Sequence, residues 1–294
     1  MKILVATSAY PPEISGPATY SRLLSDGLPP RGIAVDVLSF GRVRHMPSGI
    51  RHIAYALLLL WHARKADVIF AQDALSVGLP SLVSSFILGK RFLVRVPGDY
   101  AWEQSKHFGA TDTMEDFQSK KYGGKIERLR RLQRLVVRNA DEVIAPSRTF
   151  ADVVRSWVRD GGRVHAIYNG VDLNEIEKTI SGIVIKPKTI ISAGRLVYNK
   201  GFDVLIKAMA RLPDWSLEVA GDGPEQMKLE RLIETEGVGD RVHLLGRVDR
   251  DELIKKVASS EIFALNTYYE TFSFQAVEAL AIGTPVITTR TGSL

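Results

Sequence analysis

The chain of 294 residues contains no cysteine, so it can form neither a disulfide framework nor a thiolate metal site. It also lacks a Gly-x-Gly-x-x-Gly fingerprint, which argues against a nicotinamide cofactor. No aspartate or histidine cluster stands out as a metal site. We therefore expect neither a metal ion nor another cofactor.

Long apolar segments are missing as well. The N-terminal run Met1–Thr7 is too short for a signal peptide and is soon followed by Pro11 and Pro12. The longest apolar stretch, from Ala54 to Trp61, is far too short to span a membrane. These features predict a cytoplasmic protein.

Positive charge exceeds negative charge, with a formal net charge of +6 and a pI near 9.4. This balance suits phosphate-bearing ligands, an anionic membrane surface or nucleic acid. Much of the excess lies between Lys120 and Arg138, where apolar residues recur at helical spacing. The pattern predicts a helix with a solvated basic face; the alternative is a peripheral contact with the inner membrane face that favours a lipid-diphosphate acceptor. Nucleic acid is not expected, because no aromatic stacking pattern accompanies the charges.

Short β-branched runs alternate with longer amphipathic segments, which is typical of βαβ units and parallel sheets. The pattern restarts in the second half, after a turn at Asn169–Asp172 and a polar stretch. We therefore predict an α/β protein with an N-terminal domain at 1–172, a linker at 173–187 and a C-terminal domain at 188–294. Ligands of such sheets bind beyond the carboxyl ends of the strands.

Two glutamates flank a predicted helix start near the end of the sequence. The apolar run Ile262–Leu265 predicts a buried strand, and Glu270 follows it. Ser273 can cap a helix that carries Glu278 one to two turns further on. The backbone N–H groups of Phe272, Ser273 and Phe274 are then free to face an anion. This edge can hold a sugar nucleotide, with Glu278 on the ribose, the helix start on phosphate and Glu270 on the sugar; the alternative is two solvated surface glutamates.

A second candidate site follows the first predicted strand of the C-terminal domain. Arg195 and Lys200 share one strand-to-helix loop, in which Gly201 lets the backbone turn. Both cations can face a diphosphate. The alternative is a pair of solvated surface cations.

The segment from Tyr269 to Glu278 resembles the Glu-x7-Glu region of the retaining glycosyltransferases of family 4, and the Arg195–Lys200 loop resembles their diphosphate-binding loop. The resemblance implies a GT-B-like fold of two doubly wound Rossmann-like domains facing a cleft. It implies a hexosyltransferase-type enzyme that moves a sugar, with retention, from a nucleotide-diphosphate donor to a hydroxyl acceptor. That acceptor can be lipid-linked, as in polysaccharide or glycolipid assembly. Glu270 is then a catalytic candidate.

Three weaker parts of the resemblance extend the candidate set. Gly16, after the first strand, is what remains of the family's Gly-Gly loop and would bring N–H groups toward the donor phosphates. Arg247 and Val248 match the stretch that borders the nucleotide base. Where many members carry a histidine this sequence has a proline, and the nearest ionisable catalytic candidates are Asp99 and Glu103. The alternative is that both acids are solvated beside packed aromatic residues.

Family members continue past the segment that matches Gly292, so the resemblance implies an incomplete second domain. Two other classes of function stay open. One is a non-catalytic or split donor-binding subunit that needs a partner chain to complete the C-terminus. The other is a sugar-nucleotide epimerase, or a phosphorylase, on the same fold. The sequence alone leaves the donor base, the sugar and the acceptor undetermined.

Overall fold

The computed structural model describes residues 1–13 and 15–294, the side chains at positions 48 and 107 excepted. These residues divide into two compact units, Met1–Asn169 and Gly170–Leu294. Ile14, in the predicted Gly16 loop, lies outside the described residues. Each unit is an α/β domain built on one parallel sheet, as the alternating pattern predicted.

The first unit contains a six-stranded sheet in the order β2-β1-β3-β4-β5-β6. Its strands are β1 (Lys2–Thr7), β2 (Ala34–Ser39), β3 (Val68–Ala71), β4 (Arg91–Arg95), β5 (Glu142–Ala145) and β6 (Val164–Ala166). Its helices are α1 (Gly16–Gly27), α2 (Ser48–Ala63), α3 (Gly78–Leu88), α4 (Tyr100–His107), α5 (Met114–Ser119), α6 (Gly124–Arg138) and α7 (Arg148–Arg155).

The second unit contains a five-stranded sheet in the order β11-β10-β7-β8-β9. Its strands are β7 (Lys186–Ala193), β8 (Ser216–Ala220), β9 (Val242–Gly246), β10 (Ser260–Leu265) and β11 (Val286–Thr288). Its helices are α8 (Leu173–Ile180), α9 (Phe202–Met209), α10 (Gln226–Thr235), α11 (Arg250–Ser259) and α12 (Phe274–Ile282).

Both faces of the second sheet are covered, which makes it doubly wound. Leu217 of β8 packs with Ile206 of α9 on one face. Phe263 of β10 packs with Ala279 of α12 on the other face. Helices α9 and α12 therefore lie on opposite sides of the sheet, and this arrangement positions the candidate site.

Three helices were absent from the sequence prediction. Asp99 caps α4 by accepting from Trp102 N at 3.1 Å, and α5 follows within the same segment. Helix α8 occupies part of the predicted linker and begins at the capping residue Asp172, while Ile176 is buried. All three helices are short, so their apolar periodicity covers too few turns to be read from sequence.

The basic helix α6 differs from the solvated face that its charges suggested. Arg130 is buried and donates to the carbonyls of Phe117 (2.7 Å) and Lys120 (2.9 Å). Arg134 and Arg138 also donate hydrogen bonds within the unit. A long guanidinium side chain can satisfy buried carbonyls while its stem covers apolar surface, which an alternating pattern cannot reveal.

We expect Arg130→Met to lower the free energy of unfolding by about 2–4 kcal/mol, because it leaves buried carbonyls without donors. Arg131→Met, at an exposed position one residue away, should change it by less than about 0.5 kcal/mol. Urea unfolding followed by circular dichroism measures both. Equal effects would show that Arg130 has no special role in the fold.

Candidate functional site

The second sheet has a topological switch point between β7 and β10. From β7 the chain proceeds outward to β8 and β9, and it returns on the other side of β7 to form β10 and β11. The helices that follow β7 and β10 therefore lie on opposite faces of the sheet, and the loops that lead to them share one carboxyl edge. In open parallel sheets this is the place where ligands bind.

Hydrogen bonds join these two loops. Asn266 Nδ2 donates to Gly201 O at 3.0 Å, and Thr267 Oγ1 donates to Asn199 O at 2.9 Å. Gly201 has a φ of 60°, and a Cβ there would lie 2.3 Å from Asn266 Nδ2. Only glycine fits at this position, so the close approach of the loops is specified by the sequence.

An ion pair crosses the switch point. Lys200 Nζ donates to Glu270 Oε2, and both side chains are largely shielded from solvent. The Glu270 carbonyl accepts from Ser293 N at 2.9 Å, which holds this part of the loop in place. The structure thus brings together one predicted phosphate-binding cation and one predicted sugar-binding carboxylate.

Arg195 is not part of this ion pair. It is exposed, and within the described part of the chain its guanidinium makes no hydrogen bond or ion pair. It follows β7 directly, at the same sheet edge as Lys200. One cation is therefore positioned by a carboxylate, whereas the other is available to an incoming anion.

Helix α12 begins beside these groups. Ser273 caps it and accepts from Ala276 N at 3.1 Å, as the sequence predicted for a cap at this residue. The first turn contains no acidic residue. Its backbone N–H groups and the positive end of the helix dipole favour an anion at Phe274. Phe272 packs edge-on against Phe274, with ring centroids 5.5 Å apart.

Glu278 lies on the second turn of α12 and is buried, but it is not unpaired. Arg250 Nε donates to Glu278 Oε1 at 3.0 Å, and Arg250 Nη1 donates to Glu175. The guanidinium of Arg250 therefore links α11 to both α12 and α8. Burial raises the pKa of the Glu278 carboxyl above its ordinary range, and the hydrogen bond from Arg250 opposes that rise.

Neither Arg250 nor Glu175 was predicted from the sequence as a site residue. Arg250 is the first residue of α11, two residues beyond the predicted base-binding Val248, and Glu175 lay inside the predicted linker. Arg247 is exposed, and the Val248 side chain packs against the core cluster of β10 and α12. The roles of Arg247 and Val248 toward a base remain predictions.

The N-terminal candidates lie at the carboxyl edge of the first sheet. Gly16 opens α1, and nothing in the described chain lies within 4 Å of a Cβ built there. Asp99 is buried and accepts from Gln118 Nε2 (2.8 Å) and Gln133 Nε2 (3.2 Å), besides capping α4. Glu103 is exposed in the first turn of α4. Catalytic roles for the two acids remain predictions.

The same edge carries a buried charge, Arg95, and a half-buried one, Asp73, neither of which was predicted as a site residue from the sequence. Arg95 ends β4, lies 4.1 Å over the ring of Tyr20 and donates to Asn169 Oδ1 at 3.0 Å. Burial lowers its pKa to about 10. Asp73 follows β3 and accepts from Leu75 N at 2.9 Å, and burial raises its pKa. A charged residue at the end of an apolar strand is the signal that could have found both.

Two α/β domains and a cation-bearing switch point are typical of nucleotide-binding α/β proteins. Comparisons with known proteins specify the class. The profile of Glycosyltransferase Family 4 matches residues 14–175, more than half of the chain, and that of Glycosyl transferases group 1 matches residues 174–294. The chain belongs to this glycosyltransferase family, and its fold is the GT-B fold.

Curated relatives agree with this assignment. An uncharacterized glycosyltransferase of Methanocaldococcus jannaschii is 28% identical over 327 residues, which cover 100% of this chain and 82% of that protein. The N-acetylgalactosamine-N,N'-diacetylbacillosaminyl-diphospho-undecaprenol 4-alpha-N-acetylgalactosaminyltransferase of Campylobacter jejuni is 33% identical over 158 residues. That match covers 53% of this chain and 43% of that protein, so it spans less than half of the bacterial enzyme.

Solved structures share the fold. Sucrose-phosphate synthase of Thermosynechococcus elongatus superposes with a TM-score of 0.80 at 20% identity, over 99% of this chain and 82% of that one. The HepE protein of Anabaena, solved with UDP and glucose, gives 0.74 at 19% identity, over 100% of this chain and 82% of that one. The GT-B fold expected from the resemblance is thus confirmed.

We expect Arg250→Met to lower the free energy of unfolding by about 1–2 kcal/mol at pH 7.5, because it leaves Glu278 and Glu175 charged and unpaired. The loss should shrink on acidification. Glu278 has a raised pKa, so it becomes protonated above the ordinary value of 4.5 and no longer needs the cation. Urea unfolding at pH 7.5 and pH 5 measures the difference.

Arg247→Met, at the exposed position nearby, is the matched control and should be close to neutral at both pH values. A loss in Arg250→Met that is the same at pH 7.5 and pH 5 would contradict the ion-pair account.

Proposed function

We propose that the chain is a retaining glycosyltransferase that binds a nucleotide-diphosphate sugar at the β7–β10 switch point and transfers the sugar to a hydroxyl acceptor. The observation that carries this proposal is the Lys200–Glu270 pair, set between the exposed Arg195 and the start of α12. Membership of the family supports the reaction class. The UDP and glucose bound by the HepE neighbour support the donor class.

The departing diphosphate gains negative charge as the bond to the sugar breaks. Arg195, Lys200 and the first-turn N–H groups of α12 provide three independent sources of positive potential at one sheet edge. They are held by the loops before any ligand arrives, so little reorganisation is required in the transition state. We propose that this set stabilises the leaving group without a metal ion.

Glu270 and Glu278 serve different parts of the donor in this proposal. Glu270 remains hydrogen-bonded to Lys200 and directs its second oxygen to hydroxyl groups of the sugar. Glu278 accepts from the ribose hydroxyls. Burial raises the pKa of the Glu278 carboxyl, and the hydrogen bond from Arg250 counteracts that rise and so favours the carboxylate form that can accept.

In the first domain we propose Gly16 as the residue that lets the donor phosphates approach α1, since a Cβ there meets nothing in the chain itself. Of the two acidic candidates, Glu103 suits a direct catalytic role better. It is exposed, whereas the Asp99 carboxylate is buried and caps α4.

The acceptor we propose is a lipid-linked hydroxyl. The name of the Campylobacter relative specifies a sugar on diphospho-undecaprenol, and this match supplies the chemical class. Transfer with retention can be tested directly by following the anomeric proton of the product by NMR. A product of inverted configuration would contradict the retaining assignment while leaving the donor site intact.

Replacing either cation of the β7 loop should weaken donor binding. We expect Arg195→Ala and Lys200→Ala each to reduce the affinity for UDP, GDP or ADP, whichever the wild type binds, by about 1.5–3 kcal/mol, the range for charge-assisted hydrogen bonds. Isothermal titration calorimetry measures this change. Lys207→Ala removes an exposed lysine on the adjacent helix and should bind as the wild type does. Unchanged affinity in both loop variants would refute the diphosphate site.

A second experiment should distinguish the roles of the two glutamates in binding the donor. Glu278→Gln should weaken binding of the nucleoside diphosphate, because the ribose loses a charged acceptor. Glu270→Gln should spare that binding, since the amide oxygen can still accept from Lys200, but it should lower sugar turnover. Identical behaviour of the two variants in the same titration would show that this division of roles is wrong.

A further inference from the structure

Helix α3 has its apolar side turned outward. Its buried face consists of small and hydroxylated residues, namely Gly78, Ser81, Ser84 and Ser85. Its exposed residues include Phe86, which is 89% accessible, with Val83 and Ile87. A water-facing helix normally has the opposite arrangement, so this surface is suited to a medium other than water.

Helix α2 continues the same feature. Tyr55, Leu59 and Ala63 form its fully buried stripe. Ile50, Ile53, Leu57 and Trp61 recur at spacings of three and four residues on the opposite side, and all are more than half exposed. This outer stripe extends over roughly 16 Å at 1.5 Å per residue.

Both stripes belong to one layer of the first domain. Helices α2 and α3 pack against each other, α2 on β1 and α3 on the neighbouring strands β3 and β4. Because each helix meets the sheet with its other side, the two stripes face outward together. We define the apolar face as these seven residues: Ile50, Ile53, Leu57, Trp61, Val83, Phe86 and Ile87.

Cations outnumber carboxylates in the segments that carry the apolar face, although Arg44 pairs with Glu13 and His62 pairs with Asp36. No acidic residue occurs between Asp36 and Asp67, or between Asp73 and Asp99. These intervals contain eight cations, of which Arg42, Arg44, Arg64, Lys65 and Arg91 are exposed. Lys65 Nζ lies 5.4 Å from the Trp61 ring centroid. Exposed aromatic and aliphatic side chains beside lysine and arginine match the interface of an anionic bilayer.

We propose that the apolar face docks the protein on an anionic lipid bilayer. A second copy of the chain suits it less, since a two-fold contact through this face would bring the same cations together. Among the described residues no helix is long and apolar enough to cross a membrane, so the contact we propose lies on the bilayer surface. This assigns the contact to α2 and α3 and not to α6, whose arginines are partly used inside the domain.

This proposal deepens the lipid-linked acceptor of the proposed function but depends on other residues. None of the seven residues of the apolar face belongs to the donor site of the second domain. A failure to bind vesicles would leave nucleotide binding and transfer to a soluble acceptor analogue unaffected. A failure of the donor site would equally leave vesicle binding intact.

Flotation of the purified chain with lipid vesicles tests the docking. We expect binding to phosphatidylcholine vesicles that contain about a third phosphatidylglycerol and much weaker binding without it. The double variant Trp61→Glu/Phe86→Glu should lose about tenfold or more of the vesicle partitioning, because two charges would enter the apolar boundary. Val184→Glu/Met227→Glu introduces the same charges at exposed apolar positions of the second domain and should bind normally.

A conservative variant separates docking from folding. Trp61→Phe keeps an aromatic side chain, so it should float with the vesicles, but it should lose the blue shift of tryptophan emission that the wild type shows on binding. Several results would overturn the proposal. They are absence of vesicle binding by the wild type, equal binding by Trp61→Glu/Phe86→Glu, and loss of binding in Lys125→Gln/Arg128→Gln/Arg131→Gln of α6 instead. A wild-type dimer that Trp61→Glu/Phe86→Glu dissociates would likewise assign the face to a second copy.

Discussion

Between β7 and β10 the second sheet changes its direction of winding, and the loops that leave these two strands meet at one edge. Lys200 and Glu270 pair across that edge, supported by the hydrogen bond from the Asn266 side chain to the Gly201 carbonyl, a close approach that requires glycine at position 201. The pair fixes a cation and a carboxylate before a ligand is present. The other groups that we propose to bind the nucleotide sugar, the exposed Arg195 and the start of α12, lie at the same edge as this pair.

A second set of charges, Glu278, Arg250 and Glu175, lies on the helices beside the Lys200–Glu270 pair. Burial of the Glu278 carboxyl on α12 raises its pKa. Arg250 joins it to Glu175, so the start of α11 and a helix that precedes the sheet both contribute to its charge state. The donor site we propose is thus not confined to the loops that bear its recognisable residues. It depends on helices that pack beside them.

The sequence allowed the α/β class, most strands and the long helices to be predicted, because their apolar periodicity extends over several turns or a whole strand. It also placed Lys200 and Glu270 at strand ends. Their pairing could not be predicted, since the adjacency of β7 and β10 depends on strand order. The contacts of Arg250 with Glu278 and Glu175 could not be predicted either, because they also depend on which elements are adjacent in the fold. The exposure of the apolar side of α3 could not be predicted either, because helical periodicity does not show which face of a helix is buried.

Hydrogen–deuterium exchange with and without a saturating nucleoside diphosphate tests the central claim most directly, since it locates binding without any substitution. We expect slower exchange at the amides of residues 195–201 and 266–276 together, which form the two loops of the switch point and the first turn of α12. Protection confined to other strand ends of the second sheet, with these two loops unchanged, would contradict it.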